Sequence, residues 1–261
     1  MSSSSIFTNA IVRRPARSVV NGLRAGGGDD PSHDGVVDEH AAYCAALVSA
    51  GLALTILPAL EAFPDSVFVE DPALVFTQGA ILLRPGAPSR AGEVAHIAPT
   101  LKEKFETVLS LDEGAADGGD ILTTAGKIMV GLSARTDRKG AETLLRLAAR
   151  FGREVQLVET PKDVLHFKTD CSLLDDETVL ATRRLCTSSV FDGFRVLTAP
   201  DGEEAAANAL RVNDVVLVGA HFVKTIEMLD NAGYRVVPLP VREIGRIDAG
   251  LSCMSLRWRA A

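Results

Sequence analysis

Residues 121–158 read ILTTAGKIMVGLSARTDRKGAETLLRLAARFGREVQLV, and this stretch decides the fold. Two β-rich runs, Ile121–Thr124 and Lys127–Gly131, flank the turn pair Ala125-Gly126, which predicts a hairpin. Arg138–Phe151 then sets Leu144, Leu145, Leu147 and Ala148 at helical spacing, with Gly152 just past the end. Glu154–Val158 reads as a strand reached through that helix. The unit is therefore hairpin, helix, strand.

The same signals recur in both directions. Leu74–Thr77 and Ala80–Arg84 flank Gln78-Gly79. Cys171–Leu174 and Thr178–Thr182 flank Asp175-Asp176-Glu177. Leu210–Val212 and Val215–Val218 flank Asn213-Asp214. The turn centres lie near 79, 126, 176 and 214, so the unit recurs every 38 to 50 residues. Helical patterns follow at Glu93–Leu109, where Pro99 should break the helix or start a new one, and at His221–Ala232, stopped by Gly233. Val36–Ala50 reads as a further helix, with Asp34 as a cap and Gly51 as its end. It feeds a buried strand, Leu52–Leu57. Arg235–Pro238 is another post-helix strand. The 261 residues hold about five such units, and an ordinary α+β domain with evenly spaced hairpins is the alternative.

The composition removes several function classes. With 27 Lys+Arg against 34 Asp+Glu the formal charge is −7, which argues against a nucleic-acid partner. Apolar residues at 47% and charged residues at 23% describe a folded chain rather than a disordered one. Aromatics at 5% leave the core to aliphatic side chains. Cys44, Cys171, Cys186 and Cys253 are too scattered for a disulfide framework. Without CxxC, CxxH or paired histidines, no metal site is expected. Ser2–Ser5 read as a frayed lead-in without a signal peptide, and Gly26-Gly27-Gly28-Asp29-Asp30 as a flexible loop. The hydrophobic stretch Ala41–Phe63 is interrupted by Ser49, Gly51, Thr55, Pro58 and Glu61, so no membrane span is expected and the chain is expected in the cytoplasm. No phosphate-binding glycine motif is present.

Some residues stand out as chemistry. Cys253, in Leu251-Ser252-Cys253-Met254-Ser255 behind Gly250, is either a nucleophilic thiol or a small buried hydrophobe. His166 is either a general acid/base or a half-buried strand histidine. Asp65, Glu70 and Asp71 surround an apolar run, Val67–Val69, that reads as a strand. Asp117 and Asp120 enclose Gly118-Gly119. Clustered carboxylates suit a cationic ligand, a metal or proton transfer, and acids beside Gly and Pro also serve turns. Arg90 and Arg135 stand near turns and could each clamp a carboxylate in a bidentate fork.

These segments together resemble the dimethylarginine dimethylaminohydrolase family of the guanidino-modifying pentein superfamily. The resemblance spans almost the whole chain. It rests on Arg14-Pro15-Ala16-Arg17-Ser18, Gly22-Leu23, Phe63 to Pro72, Arg84-Pro85-Gly86-Ala87, Ser89-Arg90, Gly119-Asp120, Ser133-Ala134-Arg135-Thr136, Leu165-His166-Phe167-Lys168-Thr169, Ile247-Asp248 and Ser252-Cys253-Met254-Ser255-Leu256. It implies an α/β fold, a five-bladed αβ propeller, as one catalytic domain over 1–261 with 1–5 as lead-in.

The resemblance also implies roles. Cys253 matches the nucleophile, His166 the general acid/base and Asp117 the third catalytic carboxylate. Asp71 would hold the guanidinium with Asp117, while Asp65 and Glu70 match further pocket acids. Arg90 and Arg135 match the α-carboxylate binders, Leu23 a flap residue and Ile247 a backbone contact to the α-amino end. The implied reaction converts Nω-methylated arginine to citrulline through a thiouronium on Cys253, with no cofactor and no metal. The thiol would stay protonated until the substrate cation arrives. A small molecule is the expected partner, with neither nucleic acid nor membrane, and a homodimer is allowed. An arginine deiminase is the rival reading, disfavoured because Asp71 to Asp117 is too short for an added helical module. The same length argument disfavours an amidinotransferase. A catalytically silent arginine-binding relative and a metal-dependent hydrolase complete the alternatives. Two departures from the family pattern are the added Gly/Asp run over Ala25–His33, beside Leu23, and the helix-breaking Pro99.

Overall fold

Every sheet is built on one plan: its first strand is antiparallel to its second, and its second is parallel to its third. The computed structural model describes residues 5–24, 28–161, 164–186 and 189–260. In chain order, β1 (Asn9–Arg13), α1 (His33–Ser49) and β2 (Ala53–Leu57) open the fold. β3 (Ala73–Phe76), β4 (Gly79–Leu82), α2 (Glu93–Lys104) and β5 (Val108–Ser110) form the next unit. Then come β6 (Ile121–Thr123), β7 (Ile128–Leu132), α3 (Arg138–Ala149) and β8 (Val155–Glu159). The fourth unit has β9 (Cys171–Leu173), β10 (Thr178–Ala181), a four-residue α4 (Arg183–Cys186) and β11 (Arg195–Thr198). The last has β12 (Leu210–Val212), β13 (Val215–Gly219), α5 (Val223–Asn231) and β14 (Arg235–Leu239), followed by α6 (Arg242–Gly245) and β15 (Leu256–Trp258).

The four hairpins foreseen in the sequence are β3–β4, β6–β7, β9–β10 and β12–β13. The remaining sheet needs no hairpin. The last strand β15 pairs antiparallel with β1, and β1 pairs in parallel with β2. Joining the two chain ends in one sheet completes a five-bladed αβ propeller. Residues of β3, β6, β9, β12 and β15 line one central cavity, so the first strands face a common axis.

The apolar core is divided among the blades. Five clusters of buried side chains form, each drawing on adjoining units. One joins Phe76 and Ile81 to Ile128, Val130 and Leu144; another joins Met129 and Val158 to Val179 and Phe191. Short aliphatic side chains fill such wedges well, in keeping with the low aromatic content. In α3, Asp137 caps the start by accepting from the Gly140 N–H at 2.7 Å, and Gly152 takes φ 67° to leave the helix.

Some local expectations are corrected. The α1 cap is Ser32, whose hydroxyl accepts from the Gly35 N–H at 3.0 Å; Asp34 lies in the first turn. α2 runs through Pro99, which sits on the exposed face, where water can serve the carbonyl left without a donor. β2 is a half-exposed edge strand with Ile56 on the surface, not a buried one. Val67–Val69 is no strand but a buried series of turns. The Phe68 N–H closes a turn onto the Asp65 carbonyl at 2.9 Å, and the Asp65 and Phe68 carbonyls also accept from the Arg90 guanidinium at 3.2 and 2.8 Å. Of the expected lead-in, residues 1–4 lie outside the described residues, while Ser5 is buried and its carbonyl accepts from the Asn213 N–H at 2.8 Å. Residues 25–27 of the glycine-rich loop also lie outside them. No helix among the described residues is long and apolar enough to cross a membrane.

Candidate active site

The functional side chains leave the fold at equivalent points. Asp71 lies just before β3, Asp117 before β6, His166 before β9 and Cys253 before β15. The fifth unit contributes Asn208, just before β12. Five loops at one end of the axis therefore converge. Nine of the ten residues singled out in the sequence line a single pocket of about 40 Å³: Leu23, Asp65, Asp71, Arg90, Asp117, Arg135, His166, Ile247 and Cys253.

The tenth, Glu70, faces the other way. It lines the central cavity, where its carboxylate pairs with Lys168, accepts from the Ser252 hydroxyl at 3.1 Å and approaches Arg257 at 3.5 Å. Its backbone N–H still meets the Cys253 carbonyl at 3.2 Å. Glu70 thus braces the Cys253 loop from behind.

His166 and Asp117 are in direct contact, with Nε2 2.9 Å from Oδ2. The other Asp117 oxygen accepts from the Gly86 N–H at 2.7 Å. His166 is not in a strand; it has extended backbone and opens the tight turn Phe167–Thr169. Gly119 lets the ring approach: a Cβ there would sit 2.6 Å from His166 Nδ1. The Gly119 N–H donates to Asp71 Oδ1 at 2.8 Å, and the Arg90 guanidinium pairs with Oδ2.

Arg90 and Arg135 differ in their commitments. Arg90 is buried. Glu93 accepts from its Nε and Nη2 at 3.0 and 2.7 Å, in addition to the two carbonyls and Asp71. Of its five N–H groups, one on Nη1 has no acceptor among the described residues. Arg135 is half-buried, and its guanidinium meets no acceptor among the described residues.

Charge and burial set the proton positions. Burial alone would lower the His166 pKa. The Asp71 carboxylate, the bond to Asp117 and the nearby Asp120 outweigh it, and the ring titrates at about 9. Burial first, then the Glu70 and Asp71 carboxylates, push the Cys253 thiol up to about 11. Burial also opposes charge on Asp71, but Arg90, His166 and the Gly119 N–H hold it below the usual carboxylate range. In Asp65 burial prevails and raises the carboxyl, against Arg90 and the Leu23 N–H that donates to it at 2.9 Å. The free site at neutral pH thus holds a neutral thiol, an imidazolium and an ionised Asp71.

Ligand atoms of Asp71, Asp117 and His166 lie within 4.8 Å of one another, so the pocket can hold a cation. A metal ion there would compete with Arg90 and Gly119 for both Asp71 oxygens. A planar organic cation needs only hydrogen bonds to their remaining lone pairs.

Three supporting residues had no clear signal in the sequence. Glu93 fixes Arg90. Asp120, an acid beside glycines in the Gly119-Asp120 motif but given no role by the sequence, accepts from Ser133 and Thr136 hydroxyls at 2.7 and 2.6 Å and from the Phe167 N–H at 2.8 Å. It thereby ties the Arg135 turn to the His166 turn. Asn208 Oδ1 accepts from the Ser252 N–H at 3.1 Å, and its amide packs where a Gly250 side chain would stand. Gly250 is extended at φ −130°, so it serves this close approach and not an unusual turn.

Comparison with known proteins assigns the family and the fold. The family model described as arginine deiminase matches residues 58–209. The N(G),N(G)-dimethylarginine dimethylaminohydrolase of Pseudomonas aeruginosa is 36% identical over 97% of this chain and 100% of that protein. The chain belongs to the dimethylarginine dimethylaminohydrolase family. A second dimethylarginine dimethylaminohydrolase, from Streptomyces coelicolor, is 32% identical over 96% of each chain. A solved structure of a mutant of the Pseudomonas aeruginosa protein complexed with citrulline superposes with a TM-score of 0.94, at 36% identity, over 97% of this chain and 99% of that one. As a dimethylarginine dimethylaminohydrolase family member, the chain is a hydrolase with the five-bladed fold of its relatives.

Proposed function

We propose that this protein hydrolyses Nω-methylated L-arginine to L-citrulline and dimethylamine or methylamine, with Cys253 as nucleophile. The carrying observation is one pocket in which a thiol, an imidazolium bonded to a carboxylate and a second carboxylate converge.

A guanidinium is a poor electrophile because its charge is delocalised. Asp71 and Asp117 accept its N–H groups in plane and fix its central carbon near Cys253 Sγ. The substrate's charge offsets the carboxylates that keep the thiol protonated, so the thiol loses its proton to solvent. The thiolate adds to the central carbon. His166, already charged, gives its proton to the methylated nitrogen; the C–N bond breaks and the amine departs. An S-alkylthiouronium remains on Cys253. Neutral His166 then takes a proton from water and hydroxide adds to the same carbon; the C–S bond breaks as the new hydroxyl gives up its proton, which returns to sulfur, releasing citrulline and the Cys253 thiol. Arg135 is the principal clamp for the α-carboxylate, and the leftover Arg90 N–H supplies a second contact. The Ile247 backbone meets the α-amino end. The chain acts as a single domain over 1–261.

The pocket's 40 Å³ is room for a few waters, so substrate entry displaces the exposed Leu23 from over it. No cofactor is required, since sulfur supplies the nucleophile.

The family model's description supports a second reading, arginine itself as substrate. Against it, Asp71 to Asp117 holds only one blade, β3, β4, α2 and β5, with no further helical module. Citrulline formation from asymmetric dimethylarginine, monomethylarginine and arginine separates the readings. The methylated substrates are expected to turn over and arginine to be negligible. Fast arginine turnover with negligible dimethylarginine turnover would install the deiminase. No citrulline from any of the three would remove the enzyme.

A further inference from the structure

The wall behind the catalytic pocket has two faces. Asp71, Asp117, His166 and Cys253 line the pocket, while their neighbours Glu70, Gly118, Lys168 and Ser252 line the central cavity. That cavity, about 160 Å³, has four times the room of the pocket.

Its lining is unbalanced in charge. Lys168, Arg211 and Arg257 face one carboxylate, Glu70. Glu70 pairs with Lys168 and more distantly with Arg257. Arg257 otherwise donates to the Ser252 and Ser255 carbonyls and the Ser255 hydroxyl, and its guanidinium lies over the Phe7 ring. Arg211 donates to the Asn213 carbonyl and lies over Tyr234. These are neutral partners and cancel no charge. The lining also holds unmet donors: the hydroxyls of Ser5 and Ser172, both in residues more than nine-tenths buried, and Arg257 Nε have no partner among the described residues. Buried donors and surplus positive charge are costly unless an acceptor of opposite sign joins them.

We propose that the central cavity is a binding site for a small monovalent anion, held by Lys168, Arg257 and the Ser172 hydroxyl, and that its occupancy makes Cys253 less reactive. The connection runs through the shared wall. Lys168 favours the Cys253 thiolate and Glu70 opposes it. An anion beside Lys168 cancels the favourable charge and competes with Glu70 for its cation. Both effects disfavour the thiolate on the far side.

Bromide is a suitable probe. At fixed pH and ionic strength, bromide replaces a bulky sulfonate buffer anion that cannot enter. The rate of iodoacetamide alkylation at Cys253 is followed by peptide mass mapping, which separates it from Cys171 in the cavity lining. A saturable, several-fold slowing is expected, together with an anomalous bromide peak between Lys168 and Ser172 in crystals. Ser172→Asp builds the negative charge into the chain; its Cys253 should alkylate slowly and ignore bromide. Should that variant not fold, Ser172→Leu fills the space without charge and should likewise abolish the bromide response. A non-saturating effect, an unchanged response in the Ser172 variants, or an empty cavity in the anomalous map would overturn the proposal. The assay needs no turnover, so its failure leaves the proposed hydrolysis standing, and loss of hydrolysis leaves the anion site standing.

Discussion

At the scale of single residues, the pocket works by unequal partners. Asp71 is ionised because Arg90 and the Gly119 N–H hold it so. Arg90 is in turn fixed by Glu93. Glu93→Gln keeps the shape and removes the charge. It should cost about 1.5–3 kcal/mol of stability, the range for a hydrogen bond to a charged group. It should also raise KM for the methylated substrate more than it lowers kcat, because Asp71 shifts relative to the bound guanidinium. Steady-state kinetics and thermal melts read both, and an unchanged KM would remove Glu93 from the positioning chain. Much of this was legible beforehand. Cys253, His166, Asp117 and Asp71 stand out by residue type, each with a purely structural alternative, and it is the family resemblance that implies their roles. Glu93 does not stand out, because a glutamate in the first turn of an amphipathic helix looks like any helix-end charge. The resemblance implies a pocket role for Glu70 beside Asp71, yet consecutive residues can point to opposite sides of a wall.

At the scale of elements, the hairpins and main helices follow their turn residues and their apolar spacing. The errors came where tertiary bonds replaced local ones. Val67–Val69 is apolar and buried like a strand, but its Phe68 carbonyl accepts from the Arg90 guanidinium, 22 residues away in sequence and invisible to a local pattern. Pro99 looked like a break, but α2 packs Ile97 and Leu101 into the core on the opposite face and carries the proline on its exposed side. Burial of that face outweighs the lost backbone bond. Pro99→Ala restores the N–H and should raise stability by about 1–2 kcal/mol, less than the full helix-propensity difference of about 3 because the freer unfolded chain offsets part of it. A lower Tm in the variant would mean the proline relieves a strain that the helix otherwise carries.

At the scale of the whole molecule, four blades announced themselves by their turns and the fifth did not, because β15 and β1 come from opposite ends of the chain. Pairing so distant in sequence leaves no hairpin signal. The closed ring brings five loops together, and the charges concentrated there couple folding to pH. His166 titrates near its unperturbed value of about 6.5 when unfolded and at about 9 when folded. Its contribution is therefore full below about 6.5 and is lost as pH rises through 9. The Cys253 thiol, pushed up to about 11 by burial and by Glu70 and Asp71, adds a loss in the same direction at higher pH. Urea unfolding should show stability falling from neutral pH to above 9, and His166→Gln should flatten the neutral-to-9 part. A wild-type profile that is flat over that range would contradict the protonated His166 on which the leaving-group step depends.

The proposed chemistry turns on the covalent step at Cys253, which intact-protein mass spectrometry can detect. Enzyme turning over asymmetric dimethylarginine is quenched in acid and weighed, with peptide mapping to locate any adduct. A species heavier by the substrate less dimethylamine is expected, carried on Cys253 and absent from Cys253→Ser, which should form no citrulline. Citrulline formed at the wild-type rate by Cys253→Ser, or an adduct on another residue, would contradict the covalent step at Cys253.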